Sequence, residues 1–445
     1  MSLFPGKKKP RPLWTLFPAA VFFLSTVLVL GATGWAQSLQ SAEIASSPNP
    51  VGSGARALGM GGAFIGVADD ATAASWNPGG LTQLECPEIS AVGTAVLRSE
   101  DNLFPDHSEA SEKQTVSRGG LNYLSAACPL VVADTNVVAS LNYQHLYDFT
   151  REWNTRLHSE GLKQAWKVDQ GGGLYALGIA LGVQVSPRLA VGCTLNLWED
   201  LLYRNGWEQV IRTRNRVRDI LGDLHRVNHY VRNRYDFSGW NVNVGALWNL
   251  TEHLSLGLVF KSPFTAELAH RTTSVIRYLP YPAYRQVNFL DEELDMPMSY
   301  GVGLGYRFSD KLTAALDVSR TQWEDFVYRS ARGREFSPVS GLPLGKSRIE
   351  ATTQVRAGFE RLFIRPGFVV PLRAGGFYDP APAEGGHDPY YGFSLGSGIG
   401  VGRTVWDIAY QVRLGTDVGS SIVRPQRFSQ DVCEHTLFTS LIVHF

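Results

Sequence analysis

Beyond residue 88 the chain alternates between two kinds of residue, and that alternation sets the fold. From Tyr391 to Gly402, Tyr391, Phe393, Leu395, Ile399 and Val401 fall on one face, opposite Gly392, Ser394, Gly396, Gly398, Gly400 and Gly402. Met298 to Phe308 repeats the pattern, with Tyr300, Val302, Leu304, Tyr306 and Phe308 opposite Gly301, Gly303, Gly305 and Arg307. Thr404 to Leu414 sets Trp406, Ile408, Tyr410, Val412 and Leu414 against Asp407, Gln411 and Arg413. A period of two means strands. In a soluble sandwich the face away from the core is charged and wet. Here it carries glycine, serine and a few lone charges, as expected of strands with lipid on one side and a filled lumen on the other.

Such segments occur at 88–98, 118–129, 136–148, 171–185, 189–202, 234–249, 254–267, 297–308, 311–322, 348–361, 368–378, 391–402, 404–414 and 433–445. That makes about fourteen strands, an even number as single-chain bacterial barrels require. Their connections alternate in length. Short links such as Ser186-Pro187-Arg188, Asn249 to His253 and Ser309-Asp310-Lys311 trade places with long ones such as 149–170, 203–233 and 268–296. Short periplasmic turns and long extracellular loops characterise outer-membrane barrels. The last strand places Leu437, Leu441, Val443 and Phe445 on one face and ends on an aromatic residue. The fold class read from the chain is all-β, a transmembrane antiparallel β-barrel.

Other classes fall away. After the N-terminal segment no apolar run approaches the ~20 residues of a membrane-spanning helix, so a helical transporter is excluded. Net charge is zero, which gives nucleic-acid binding no support. Four scattered cysteines do not make a disulfide scaffold or a zinc site. Cys86 and Cys128 fall at the periplasmic rim of adjacent strands, where either a disulfide or two free thiols fits. No G-x-S-x-G or H-E-x-x-H motif is present, and the chain is not read as an enzyme.

The N-terminus carries Lys7, Lys8, Lys9 and Arg11, then an apolar run from Leu13 to Leu30 and the small-residue site Gly34-Trp35-Ala36. Residues 1–36 read as a signal peptide cleaved after Ala36, in preference to an uncleaved anchor. Residues 37–87 follow as a plug, and 88–445 as the barrel. Gly52, Gly54, Gly59, Gly61, Gly62 and Gly66 let the plug backbone bend tightly and lie against walls where no Cβ would fit. Asp69 and Asp70 are expected to cap a short helix, Ala71 to Trp76, which Asn77-Pro78-Gly79-Gly80 then ends. Gly59-Met60-Gly61-Gly62 lacks the preceding strand and following helix of a nucleotide loop.

The string G-x-R-x-x-G-M-G-G-A-F, followed by A-D-D-A and W-N-P-x-G-L, resembles the N-terminal hatch of FadL/TodX-type outer-membrane transport proteins; the related PorV-type barrels open similarly. The resemblance implies a bacterial outer-membrane, porin-like channel for passive uptake of hydrophobic compounds, long-chain fatty acids or aromatic hydrocarbons, and hence fatty acid or lipid transport. It implies no cofactor. Capture at the loops, a pocket above the plug and a plug shift would make Gly59, Gly61, Gly62, Asp69, Asp70, Asn77 and Pro78 the gating residues. A PorV-like assembly or secretion factor, its loops docking protein partners, is the alternative.

Two groups of residues are candidates for substrate contact. Val210, Val217, Leu224 and Val231 recur every seven residues, so 207–235 is expected to hold an amphipathic helix or helix pair. Arg212, Arg214, Arg216, Arg218, Arg226, Arg232 and Arg234 surround that stripe, either catching amphipathic acids or pairing with lipopolysaccharide phosphates. By parity Arg307, Asp317, Arg356, Arg373, Asp407 and Arg413 point into the lumen. They either hold the plug or, for Arg356 and Arg373 on adjacent strands, bind a carboxylate. The other partners expected are outer-membrane lipid and, through Phe445, the barrel-insertion machinery.

Overall fold

The computed structural model describes residues 52–159, 162–218, 224–423 and 427–445. The expected signal peptide and the first part of the plug lie outside the described residues. The strands are β1 (Glu88–Leu103), β2 (Glu112–Val132), β3 (Thr135–Asp148), β4 (Arg151–Ser159), β5 (Leu162–Ser186), β6 (Leu189–Trp198), β7 (Gly206–Arg218), β8 (Leu224–Asn249), β9 (Leu254–Lys261), β10 (Phe264–Leu279) and β11 (Tyr284–Met296). They continue as β12 (Ser299–Ser309), β13 (Leu312–Thr321), β14 (Val327–Arg329), β15 (Glu335–Phe336), β16 (Thr352–Arg365), β17 (Phe368–Tyr378), β18 (Ala381–Ala383), β19 (Gly386–Asp388), β20 (Tyr390–Val401), β21 (Thr404–Val418) and β22 (Ser429–His444).

Fourteen of them close an antiparallel ring in the order β1–β2–β3–β5–β6–β8–β9–β12–β13–β16–β17–β20–β21–β22. β22 returns to β1, pairing Glu88 with His444, and Phe445 N donates to Pro87 O. Closure leaves no edge for lipid to meet, the condition for a sheet to cross a membrane. The alternation in sequence becomes the alternation of faces. Phe393, Leu395, Leu304, Leu437 and Leu441 are exposed to the lipid side, and Ser394, Asp407 and Ser440 are buried inward. The β2–β3 turn is a two-residue hairpin in which Ala133 and Asp134 adopt φ of 49° and 61°.

The outer side differs from the sequence reading. The segment 207–235 is not helical: β7 and the upper half of β8 form a hairpin with Gly206 opposite Asp236. A seven-residue spacing puts successive members on opposite faces of a strand, and Leu224 is 55% exposed while Val231 is buried. The period that decides is the shorter one. Arg212, Arg214 and Arg216 face out between the buried Ile211, Thr213 and Asn215. This hairpin belongs to a wider extracellular sheet ordered β4–β5–β7–β8–β10–β11–β14–β15, built on the upper ends of β5 and β8. Trp153, Trp166, Ile211 and Val231 on its inner face pack with Phe104 and Phe428 from the outer loops. The expected strand 254–267 is two strands. Pro263 has no N–H for the ladder, and there β10 leaves the ring to pair with β8, while β12 takes its place beside β9.

Residues 53–84 sit inside the ring, almost wholly buried, in short helices (Ala55–Gly59, Ala73–Trp76) and a 3-10 turn (Pro78–Gln83). The expected cap is corrected. Thr72 is the N-cap, and Asp70 acts one step earlier by accepting from Thr72 N and Oγ1. Asp69 turns away to Arg56. Asn77 ends the helix with φ −147°, as the Pro78 that follows requires. All four cysteines are free thiols, so Cys86 and Cys128 are not bridged.

Candidate functional site

The inward glycines of the wall have a structural purpose. A Cβ on Gly358 or Gly375 would overlap the Met60 carbonyl, so hatch backbone lies directly on wall backbone. On the hatch side, Gly61 and Gly62 take φ of 70° and 77°, a region that L side chains avoid. Polar groups then pin the hatch around its perimeter. Asp317 Oδ2 accepts from Phe64 N at 2.6 Å and Ile65 N at 2.8 Å. Ser394 Oγ donates to Gly59 O and accepts from Gly61 N. Asn77 Nδ2 donates to both Ile65 O within the hatch and Ala246 O of the wall. Tyr123 Oη reaches Ala71 O, and Thr194 Oγ1 reaches Ala74 O.

A chain of alternating charges crosses the same boundary. Arg56 of the hatch pairs with Asp69 at 2.5 Å and bidentately with Glu360 of β16 at 2.9 and 3.0 Å. Glu360 also accepts from Arg373, which in turn reaches Asp407, both at 2.6 Å. Burial alone would lower the Arg56 pKa, but the carboxylates of Asp69 and Glu360 outweigh it and hold the pKa well above its ordinary value. Beside this chain Arg356 donates to Gly61 O at 3.0 Å and lies 3.5 Å from Asp379. Arg413 pairs with Asp379 at 3.0 Å and stacks on Tyr390.

Above the hatch lies an aromatic pocket of about 100 Å³, lined by Ile65, Trp76, Tyr147, Trp198, Phe264 and Tyr300 among others. It adjoins a larger chamber of about 360 Å³, and Gly52, Leu146, Tyr147 and Arg356 line both. The chamber is polar on its far side, where Arg118, Asn122, Asp148, Thr150 and Gln411 line it. Val96, Arg118, Gly119 and Thr436 also line a hollow on the outer surface of the wall, beside Leu97 and Leu437. The chamber and this hollow lie on opposite sides of the β22–β1–β2 ladder, in which Val96 pairs with both Arg118 and Thr436.

The chamber meets the wall where the wall splits, lined there by Gly120 and Asn122 of β2 and by His145 and Asp148 of β3. The β2–β3 ladder rises from Val132/Thr135 to Tyr123/Gln144 and stops. Above that point β2 pairs with β1 and β3 with β5. Each edge bulges at the split. Asn122 is skipped between the Tyr123 and Leu121 pairings, and Leu146 between those of His145 and Tyr147. Gly119 and Gly120 form one jamb, and a Cβ on Gly120 would meet nothing within 4 Å. On the other jamb His145, Tyr175 and Tyr203 stack with centroids 4.4 and 5.3 Å apart. Side chains cross where the ladder does not. Asn122 Nδ2 donates to His145 O at 3.3 Å, Arg118 pairs with Asp148 at 3.1 Å, and Gln114 exchanges bonds with the Asn154 backbone.

The residues singled out from sequence divide accordingly. Gly59, Gly61, Gly62, Asp69, Asp70, Asn77 and Pro78 all lie in the hatch or on its contact with the wall. Arg356 and Arg373 are on paired strands but not side by side: Arg356 is opposite Phe377 and Arg373 opposite Glu360. Arg356 lines both inner spaces, whereas Arg373 is enclosed by carboxylates. Val217 and Arg218 end β7, with Arg218 in register with Leu224 at the start of β8, in the extracellular hairpin. Arg307, inward by parity, is exposed at the end of β12. Sequence reasoning missed Arg56, Glu360, Arg118 and Asp148. Only Arg56 had a signal, as the R of the hatch motif.

A sequence profile described as outer membrane protein transport protein (OMPP1/FadL/TodX) matches residues 32–337. The fold is similar to the crystal structure of a Pseudomonas aeruginosa FadL homologue, at 12% identity and a TM-score of 0.61, covering 89% of this chain and 100% of that one. It is also similar to the P. putida toluene transporter TodX, at 14% identity and a TM-score of 0.59, covering 89% and 99%. The CymD monoaromatic hydrocarbon channel aligns at 14% identity with a TM-score of 0.56, covering 89% and 98%. No curated protein sequence matches the chain. These likenesses do not favour a secretion-associated docking barrel.

Proposed function

The chain belongs to the outer membrane protein transport family (OMPP1/FadL/TodX), and on that premise we propose that it admits hydrophobic small molecules, long-chain fatty acids or aromatic hydrocarbons, passively through its plugged barrel. The observation that carries this reading is the run of two adjoining spaces, from the aromatic pocket above the hatch to the chamber that abuts the split between β2 and β3. An apolar solute leaving water gains about 25 cal/mol for each Å² of its surface so removed. A side exit into lipid delivers it where it is most stable. Lipopolysaccharide is the layer the protein must bypass, so capture occurs at the extracellular sheet.

In this reading residues 1–36 are removed on export, residues 37–87 are the hatch, and Gly59, Gly61, Gly62, Asp69, Asp70, Asn77 and Pro78 set how it seats. The outward arginines Arg212, Arg214, Arg216, Arg226 and Arg232 are exposed and meet lipopolysaccharide phosphates. Phe445 presents the end of β22 to the insertion machinery. No cofactor or energy source takes part. The test is uptake of radiolabelled long-chain fatty acid and of toluene by cells lacking their own such channels, with and without the protein. Entry of neither solute above the empty-vector rate refutes the proposal.

A further inference from the structure

We propose that the Arg118–Asp148 pair is the closing contact of the split in the wall, and that Arg118 makes passage selective for solutes carrying an oxygen acceptor. The inference deepens the channel reading above and rests on it.

Position is the first argument. Arg118 of β2 and Asp148 of β3 both line the inner chamber, one from each side of the split, so whatever leaves the chamber through the split passes the pair. Asp148 is the last residue of β3, just beyond the Leu146 bulge, on the opposite jamb. The backbone ladder is missing at this height, and the pair at 3.1 Å spans the two edges in its place. The neighbouring ties, from Asn122 to His145 O and between Gln114 and Asn154, are neutral hydrogen bonds.

Chemistry is the second. The two side chains are 17% and 15% exposed, dry enough for the attraction to be strong yet open enough for a solute to reach them. The other guanidinium groups of the chamber are committed elsewhere, Arg356 to Gly61 O and Arg413 to Asp379. A guanidinium does not shed its proton. When the pair parts, Arg118 therefore needs another acceptor. A carboxylate or carbonyl on the passing solute supplies one, with fork geometry suited to a carboxylate. An alkane supplies none, and must cross with the charge left uncompensated. The split is thus a door whose closing contact exchanges one acceptor for another.

The test compares palmitate with hexadecane, which share a chain length, in the same uptake assay with the full-length protein. Asp148→Asn weakens the closing contact and leaves Arg118 in place, so palmitate uptake rises several-fold. Arg118→Gln removes the charge but keeps donors, so the palmitate-to-hexadecane ratio falls several-fold. Amide exchange at 117–122 and 145–150 reads the door without transport, and in Asp148→Asn it quickens at both jambs. A purely structural role would slow uptake in both variants. Unchanged exchange at the jambs overturns the closing contact, whatever the uptake. An unchanged solute ratio in Arg118→Gln, with wild-type surface abundance, overturns the selectivity. If the wild type moves neither solute while exchange still quickens in Asp148→Asn, the channel reading fails, the selectivity falls with it, and the closing contact stands.

Discussion

Replacing Arg56 by alanine should unseat the hatch without opening the barrel. Arg56 makes two hydrogen bonds to Glu360 and one close pair with Asp69, and its side chain is 22% exposed. Charge-assisted hydrogen bonds contribute about 1.5–3 kcal/mol, and breaking a buried pair costs about 3–5 kcal/mol. Two features reduce the loss here. Glu360 keeps Arg373 at 2.6 Å, and Asp69 is itself 36% exposed. The substitution should therefore cost about 2–4 kcal/mol of hatch seating, equivalent to roughly a 30- to 1000-fold shift toward the released hatch. Hydrogen exchange in detergent gives the measurement, because amides of residues 55–70 should exchange faster by that factor while the ladder of β16 and β17 stays protected. Arg56→Lys, which keeps the charge and loses the fork, should fall between the two. Hatch amides exchanging at the wild-type rate in Arg56→Ala would refute the argument that this charge chain seats the hatch.

Three shorter predictions follow from the same contacts. Gly358→Val places side-chain atoms where the Met60 carbonyl lies, so residues 58–62 should lift from the wall, seen as faster amide exchange there with an unchanged heat-modifiable band on gels. Asp317→Ala leaves the buried Phe64 and Ile65 N–H groups without their acceptor, at about 1–3 kcal/mol each, and Asp317→Asn should recover much of that loss, both read by hatch amide exchange. Mass spectrometry without reductant should find Cys86, Cys128, Cys193 and Cys433 all alkylated after denaturation.

Periodicity made the barrel legible, since every ring strand has an apolar lipid face and the alternation has only one reading. Parity likewise put Asp317, Arg356, Arg373, Asp407 and Arg413 in the lumen, where all are buried. Their partners were not legible. Arg56 and Glu360 are 304 residues apart, and no local pattern joins them. The extracellular hairpin was misread because its valines and leucines fit a seven-residue repeat while its arginines keep a period of two, and the neighbouring strands decided between them. The split in the wall depends on two bulges, at Asn122 and Leu146, and a bulge belongs to the register between strands rather than to either strand alone. Gly119-Gly120 within a strand was the one local sign of it.

The hatch should open from its first turn rather than as a whole. Its later part is held on several sides: Asn77 ties Ile65 to the wall at Ala246, and Asn136 holds Thr82 O. Pro78 and Gly79 lie against the wall glycines Gly192 and Gly245 so closely that no Cβ would fit there. Residues 52–58 have fewer anchors, namely Ala55 N on Ser440 Oγ, Arg56 on Glu360 and the internal bonds of Ser53 to Ser75 and Trp76. Gly52 and Leu58 also line the chamber, so withdrawing this segment widens the space behind the split and leaves the seat at Asn77 undisturbed. Each neutral hydrogen bond given up to water costs about 0.5–1.5 kcal/mol net, and the Arg56–Glu360 contact adds the larger cost worked out above, so the displaced first turn is a minor population reached while the ring stays closed. Amides of residues 55–58 should accordingly exchange faster than those of 74–82 in the wild-type protein, and Ser440→Ala should accelerate the first group alone. If the two groups exchange together, and Ser440→Ala moves both, the hatch leaves as one body and the widening of the chamber by its first turn is wrong.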